Sequence, residues 1–270
     1  MHREGKRPRV VAIDLDGTLL RSDGTVSLRT IAALESARAN GAKVVVVTAR
    51  PPRHVRRVLQ DAGWCEATAI CSNGAIVYDL ARHHAVSTTL LKAETAARVA
   101  AAFAESMPEV RWAVETGEEL VSGPGWGYTF GGEQAHRRGY DLEELWLLPL
   151  VKVLGWSEFR TADQMLEVIG SLSLTDVEST HSGGAGIVEL SAASITKAGA
   201  LADFCRSHGA LAEDVVAFGD MPNDIPMLRW AGRSWAVANA HPEALAAATA
   251  MTGGNDQDGV AQVLEDLFVQ

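Results

Sequence analysis

The apolar run Val10-Val11-Ala12-Ile13 stops abruptly at Asp14-Leu15-Asp16-Gly17-Thr18. A short, unbroken apolar stretch bounded by Asp and Gly fits a parallel strand buried on both faces. In open α/β sheets the crevice beyond the carboxyl ends of such strands is where ligands bind. Asp14 and Asp16 arrive there together, spaced i, i+2. Two acids so placed suit a shared divalent cation, with one attacking and the other moving protons. An Asx turn explains the same two residues on purely local grounds.

Three further strand ends carry chemistry of the same kind. Lys43-Val44-Val45-Val46-Val47 ends in Thr48-Ala49-Arg50, where a hydroxyl and loop N–H groups offer a grip for a phosphate oxygen. Lys197 opens a helical pattern that runs to His208-Gly209. A cation at a helix N-terminus opposes the macrodipole by up to about 1 kcal/mol, a placement that makes sense beside an anion. Val215-Val216-Ala217-Phe218 stops at Gly219-Asp220, with Asn223 and Asp224 close behind. Magnesium takes oxygen ligands and keeps several waters, so a few carboxylates suffice to hold it. Four strand or helix ends bearing acid, hydroxyl, ammonium and acid together describe a phosphoryl-transfer site.

On these residues the chain resembles the haloacid dehalogenase superfamily of phosphatases, and within it the Cof-type hydrolases with a large α/β cap of type IIB. The matches stand in that family's order: Asp14 to Leu19, Thr48-Ala49-Arg50-Pro51, Ser72-Asn73-Gly74-Ala75, Lys197, and Gly219 to Asp224. Ala236-Val237-Ala238-Asn239-Ala240 and Gly254-Asn255-Asp256-Gln257-Asp258-Gly259-Val260-Ala261 add two C-terminal signatures. Ala49 departs from the usual Gly, and Ala198-Gly199 replaces the commoner Gly after the lysine; neither change removes a functional side chain. The resemblance implies that Asp14 is the nucleophile and Asp16 the acid/base. It implies that Thr48, Lys197 and Asn223 hold phosphate. Mg²⁺ would be bound by Asp14, the Asp16 carbonyl and Asp220, braced by Asp224. Thr18 is a weaker helper.

Composition sets the limits. At 270 residues, 47% hydrophobic and 21% charged, the chain has room for one large domain and a smaller one. The net charge, 24 − 34 = −10, argues against nucleic acid or an anionic membrane surface as partner. Three cysteines, Cys65, Cys71 and Cys205, are too few for a disulfide framework and fit a reducing cytoplasm. The first apolar run is interrupted by Asp14 and Asp16, so a membrane span is not expected.

The order of elements predicts a doubly wound parallel sheet. Ser27 caps a helix ending near Asn40-Gly41, and Pro51 opens another. A strand over 67–71 leads through Ser72-Asn73-Gly74 into a hairpin at Ile76-Val77-Tyr78. Beyond Leu80 the pattern changes to a separate α/β unit with helices over 94–106 and after a Thr161/Gln164 capping box. Residues 1–80 and 187–270 are therefore expected to form the core and 81–186 an inserted cap, with the Gly-rich stretch Ser182–Gly186 leading back.

The cap is expected to choose the substrate and exclude water, with candidate contacts at Trp126, Tyr128, His136-Arg137-Arg138, Lys152 and His181. Taken one at a time, each of these is better explained by packing or solvation. The expected activity is hydrolysis of small phosphorylated metabolites, sugar phosphates foremost, through an aspartyl phosphate. A phosphomutase is the alternative. A phospho-aspartate switch without catalysis fits less well, since it gains nothing from an acid at Asp16 or from a cap.

Overall fold

The computed structural model describes residues 7–64, 66–129, 136–181, 186–193 and 195–268, with the backbone alone over 136–138. The chain divides into two compact units, Met1–Val86 with Thr196–Gln270, and Ser87–Ile195.

The first unit opens with β1 (Val10–Asp14), α1 (Leu28–Ala39), β2 (Lys43–Val47), α2 (Pro52–Asp61), β3 (Thr68–Cys71), β4 (Ile76–Asp79) and β5 (His84–Thr88). Its helices start where the sequence says they should. The Ser27 hydroxyl accepts from Thr30 N–H at 3.0 Å, and Pro51 stands at the N-cap of α2. Both faces of β1 are covered, for Val10 and Ala12 on one side and Val11 and Ile13 on the other are all buried. That double burial is why the run is unbroken rather than alternating.

In the second unit α3 (Ala93–Ser106), β6 (Arg111–Glu115), β7 (Leu120–Ser122), β8 (His136–Arg138), α4 (Leu142–Trp146), β9 (Lys152–Trp156), α5 (Ala162–Ser171), β10 (Val177–Thr180) and β11 (Ile187–Ala192) follow one another. The strands form one sheet in the order β10-β11-β9-β6-β7-β8. Phe103, Met165 and Ile169 from the helices pack against Trp112, Val153, Val188 and Leu190 of the sheet. The expected capping box is present, with Thr161 and Gln164 bonded to each other's backbone.

The sequence-based return to the core at residue 187 needs correction. β11 pairs antiparallel with both β9 and β10, so Ile187–Ala192 belongs to the second sheet, and the first unit resumes only at Thr196. An apolar strand reads alike in either sheet, and only its partners distinguish the two. Of the Gly-rich stretch, Ser182 to Ala185 lie outside the described residues.

The first unit resumes with α6 (Lys197–Ser207), β12 (Val215–Gly219), α7 (Ile225–Trp230), β13 (Arg233–Val237), α8 (Pro242–Ala247), β14 (Ala250–Thr252) and α9 (Gly259–Phe268). Among the described residues its sheet has the order β14-β13-β12-β1-β2-β3-β4-β5. Pairing is parallel from β14 through β3, and β4 turns back antiparallel to β3. The chain moves from β1 outward through β2 in one direction and later through β12 in the other. This reversal makes a doubly wound sheet with its topological switch point at β1. No helix among the described residues is long and apolar enough to cross a membrane.

Candidate active site

Asp14 is the last residue of β1, Thr48 directly follows β2, and Asp220 directly follows β12. The parallel register brings these three ends to one edge of the sheet, since Ile13 pairs with Val46 and with Phe218. After β1 the chain makes a single wide turn closed by Leu20 N–H donating to Leu15 O at 2.8 Å. Gly17 sits in that turn at φ +73°, and a Cβ there would collide with Asp220 Oδ2. The motif glycine thus lets the loop close against the second acid.

Lys197 is buried, and its Nζ lies 2.6 Å from Asp14 Oδ1 and 2.7 Å from Asp224 Oδ1. Thr196 caps the helix that presents it, accepting from Gly199 N–H. Asp224 is fully buried, and its other oxygen accepts from Asp220 N–H at 3.1 Å and Met221 N–H at 3.0 Å. Asp224 is therefore a brace that fixes the turn carrying Asp220. Thr18 donates its hydroxyl proton to Asp220 Oδ1 at 3.0 Å, which gives this residue a definite partner.

The electrostatics follow from counting charges. Three buried acids face one buried lysine, an excess of two negative charges when all are ionised. Burial, then the Asp224 charge, holds the Asp14 carboxyl well above the usual carboxylate range against the opposing pull of Lys197. Burial and Asp224 likewise push Asp220 up to about 6, with the Thr18 hydroxyl working the other way. For Lys197, burial alone favours the neutral amine, but Asp14 and Asp224 outweigh it and raise the ammonium above its ordinary value. One carboxylate oxygen from each of Asp14, Asp220 and Asp224 lies within 4.8 Å of the others. Hard oxygen donors with surplus negative charge are the donor set a divalent cation takes.

Thr48 is fully buried; its N–H donates to Ile70 O, and its hydroxyl accepts from Arg50 N–H at 3.1 Å. Asn223 lies in the turn between Asp220 and Asp224, and its buried Oδ1 has no hydrogen-bond partner among the described residues. Asp16 is half exposed and points to Arg50, which grips it with both Nε, at 2.8 Å, and Nη2. Arg50 stands in the Thr48-Ala49-Arg50-Pro51 motif without an expected role of its own. Its position carries the signal: a cation two residues past the Thr at a strand end reaches the acid on the neighbouring strand end.

The candidate contacts of the second unit are a different matter. Trp126 is buried, with its ring centroid 6.5 Å from Tyr128 and 6.1 Å from Trp156. Lys152 Nζ donates to Glu189 Oε2 at 2.7 Å, both being buried, and His181 Nε2 lies 3.3 Å from Asp163. The side chains of His136, Arg137 and Arg138 lie outside the described residues. Of the cysteines, Cys71 and Cys205 are buried, and Cys65 lies outside the described residues.

The family profile of the haloacid dehalogenase-like hydrolases matches residues 11–264. The chain belongs to that family. Curated relatives include 5-amino-6-(5-phospho-D-ribitylamino)uracil phosphatase YwtE of Bacillus subtilis, 26% identical with 96% of this chain and 98% of that protein covered. Pyridoxal phosphate phosphatase YbhA of Escherichia coli is 29% identical, with 95% and 97% covered. Among solved structures, the subclass IIB sugar phosphatase BT4131 superposes with a TM-score of 0.79 at 24% identity, covering 96% of this chain and 98% of that one. The likeness to that structure is one of fold. The protein is thus an enzyme, a haloacid dehalogenase-type phosphatase of the Cof kind.

Proposed function

We propose that this protein is a Mg²⁺-dependent phosphomonoesterase of small phosphorylated metabolites, sugar phosphates first among them, and that it works through an aspartyl phosphate. The observation that carries the reading is the buried cluster of Asp14, Asp220 and Asp224 around the Lys197 ammonium. The relatives' names differ in substrate, so the family sets the chemistry and leaves the alcohol to be chosen by this chain.

In the first half-reaction an Asp14 oxygen attacks phosphorus in line, and the bond from phosphorus to the ester oxygen breaks. Asp16 gives its proton to the departing alcohol. In the second half, water attacks the aspartyl phosphate, Asp16 takes the water's proton, and inorganic phosphate leaves with Asp14 restored. Thr48, Lys197 and Asn223 supply donors for the equatorial oxygens, where charge spreads in the transition state. Bound Mg²⁺, held by Asp14, Asp220 and the Asp16 carbonyl with Asp224 bracing, would offset repulsion between the anionic nucleophile and the dianionic ester.

The second unit, Ser87–Ile195, carries substrate choice in this reading, and residues 1–86 with 196–270 carry the chemistry. A cytoplasmic setting belongs to the same proposal, since the substrates are soluble metabolites. The test is a phosphate-release screen over metabolite phosphates, ranked by kcat/KM, with Mg²⁺ and with excess chelator. Phosphate release that persists in full under chelation would overturn the metal-dependent scheme. Turnover that needs an activating bisphosphate would favour a mutase.

A further inference from the structure

The two C-terminal signatures have no part in the chemistry above, yet both end on the catalytic loop. Asn239, just after β13, donates from Nδ2 to Gly17 O at 2.8 Å, and its Oδ1 accepts from Asn255 N–H at 3.0 Å. The two bonds fix which way the amide points, because a carbonyl accepts and a backbone N–H donates. Asn255 in turn donates from Nδ2 to Leu20 O at 2.9 Å. One step further along, Asp256 accepts from both the N–H and the hydroxyl of Ser22, at 2.8 and 2.7 Å.

The loop that makes these contacts is itself stiff. A Cβ on Gly259 would meet the Gly253 carbonyl, so the chain doubles back tightly there, and the Thr252 hydroxyl donates to Gly259 O at 2.8 Å. Arg29 of α1 forks onto Glu265 of α9 at 2.8 and 2.6 Å, tying the two helices that follow the two loops.

From this we infer that Asn239 and Asn255 are positioning residues, a splint from the C-terminal loop that fixes the Gly17–Thr18 peptide and thereby the placement of Asp16 and Thr18. The inference rests on reading Asp14, Asp16 and Asp220 as the reacting centre. Gly17 O is the carbonyl one residue after Asp16, and the peptide it belongs to leads into Thr18, whose hydroxyl engages Asp220. The Leu20–Leu15 bond closes the turn at its ends, but glycine at a positive φ brings no side chain to hold the peptide between them. An external donor on its carbonyl supplies that restraint.

Asn239→Asp tests the splint at one bond. The carboxylate keeps the acceptor for Asn255 N–H but cannot donate to Gly17 O. The expected result is a fall in kcat on the order of 10- to 100-fold, the loss that a misplaced catalytic group causes, with KM within about threefold. Hydrogen exchange at Thr18, Leu19 and Leu20 should quicken in the same variant. Asn255→Ala, which removes only the bond to Leu20 O, should show the same pattern more weakly and serves if Asn239→Asp does not fold. Asn40→Ala removes amide-to-carbonyl bonds to Ser36 O and Phe268 O and the acceptor for Arg7, far from the site, and should leave kcat unchanged. Unaltered kcat with unaltered exchange over 17–22 in either asparagine variant would overturn the inference. So would a kcat loss in Asn40→Ala as large as in the two asparagine variants at a like fall in melting temperature. Failure of the underlying reading looks different: wild type would release no phosphate, or Asp14→Asn would retain turnover, while the exchange measurement still reports on the splint.

Discussion

The Lys197 ammonium bridges Asp14 and Asp224 at 2.6 and 2.7 Å, with all three groups withdrawn from water. Among the described residues it is the one cation against three buried acids in this cluster, so Asp14 is held in a place that costs stability. That conflict between charge and burial is the sign of a site kept for chemistry.

Asp14→Asn separates the two demands. Turnover should drop by at least about 10³-fold, because the amide keeps the shape and loses the attacking charge. The metal-free protein should melt no lower than wild type, and higher if repulsion dominates, since Lys197 retains Asp224 while one of three acids is neutralised. Phosphate release and calorimetry in chelator check the two halves. A melting temperature several degrees lower would mean that Asp14 stabilises the fold.

Removing the lysine should do the opposite. Lys197→Met leaves Asp14 and Asp224 buried without their partner, and breaking a buried pair costs about 3–5 kcal/mol. Saturating Mg²⁺ should return part of that loss, because a cation then faces the same acids. Denaturant titrations with and without Mg²⁺ measure both quantities.

The Asp220 shift fixes a pH dependence and its sign. Its carboxyl is pushed up to about 6, so below that pH a proton competes with Mg²⁺. Apparent Mg²⁺ affinity should therefore rise with pH through about 6, by as much as tenfold per unit for each competing proton, and level off only once Asp14, whose carboxyl is also raised, has lost its own. The folded-state pKa is raised, so the folded protein binds this proton more tightly than the unfolded chain. The stability of metal-free protein should accordingly fall as pH climbs from about 4 to about 6. Calorimetric titration in buffers of different ionisation heat should show more proton release on binding near pH 5.5 than at pH 8, the difference being the Asp220 proton. Release that is equal at both would remove Asp220 from the metal site.

Gly17→Ala probes the closeness of the loop to Asp220. The residue would hold a left-handed φ at about 1–2 kcal/mol, and its Cβ would displace the Asp220 carboxylate. The Mg²⁺ concentration for half-maximal activity should rise more than the substrate KM does. An unchanged Mg²⁺ dependence would show that Asp220 tolerates the shift.

Most of the core was legible because its signals are local. Val10–Ile13, Val44–Val47 and Val215–Phe218 are unbroken because both sheet faces are covered, and Ser27, Thr161 and Pro51 mark helix starts by backbone chemistry. Strand ends in a parallel sheet meet at one edge, so Asp14, Thr48 and Asp220 could be placed together from sequence order. What sequence could not show depends on partners far along the chain. Ile187–Ala192 reads as core until its pairing with β9 and β10 is seen. Asn239 and Asn255 lie 222 and 235 residues from the carbonyls they hold, and Arg50 lies 34 from Asp16. No period or cap encodes such contacts.

The pairing of Arg50 with Asp16 makes the last prediction. The pair is half exposed, so its loss should cost at most about 1 kcal/mol of stability, and any larger effect must be on catalysis. If Asp16 is the proton shuttle, Asp16→Asn should hurt sugar phosphates most, because an alkoxide needs a proton as it leaves. An aryl phosphate leaves readily without that help, so its first step should survive better. The second step still lacks its base, and rapid mixing with labelled aryl phosphate should trap phosphate on the protein. Arg50→Ala should reproduce the leaving-group dependence in weaker form, since the carboxylate remains but is no longer held. Arg50→Lys should fall between the two, as an ammonium keeps the charge and loses the two-pronged grip. Equal losses on both ester types in Asp16→Asn, with no trapped phosphate, would confine Asp16 to the metal. Arg50 would then be a surface ion pair and no more.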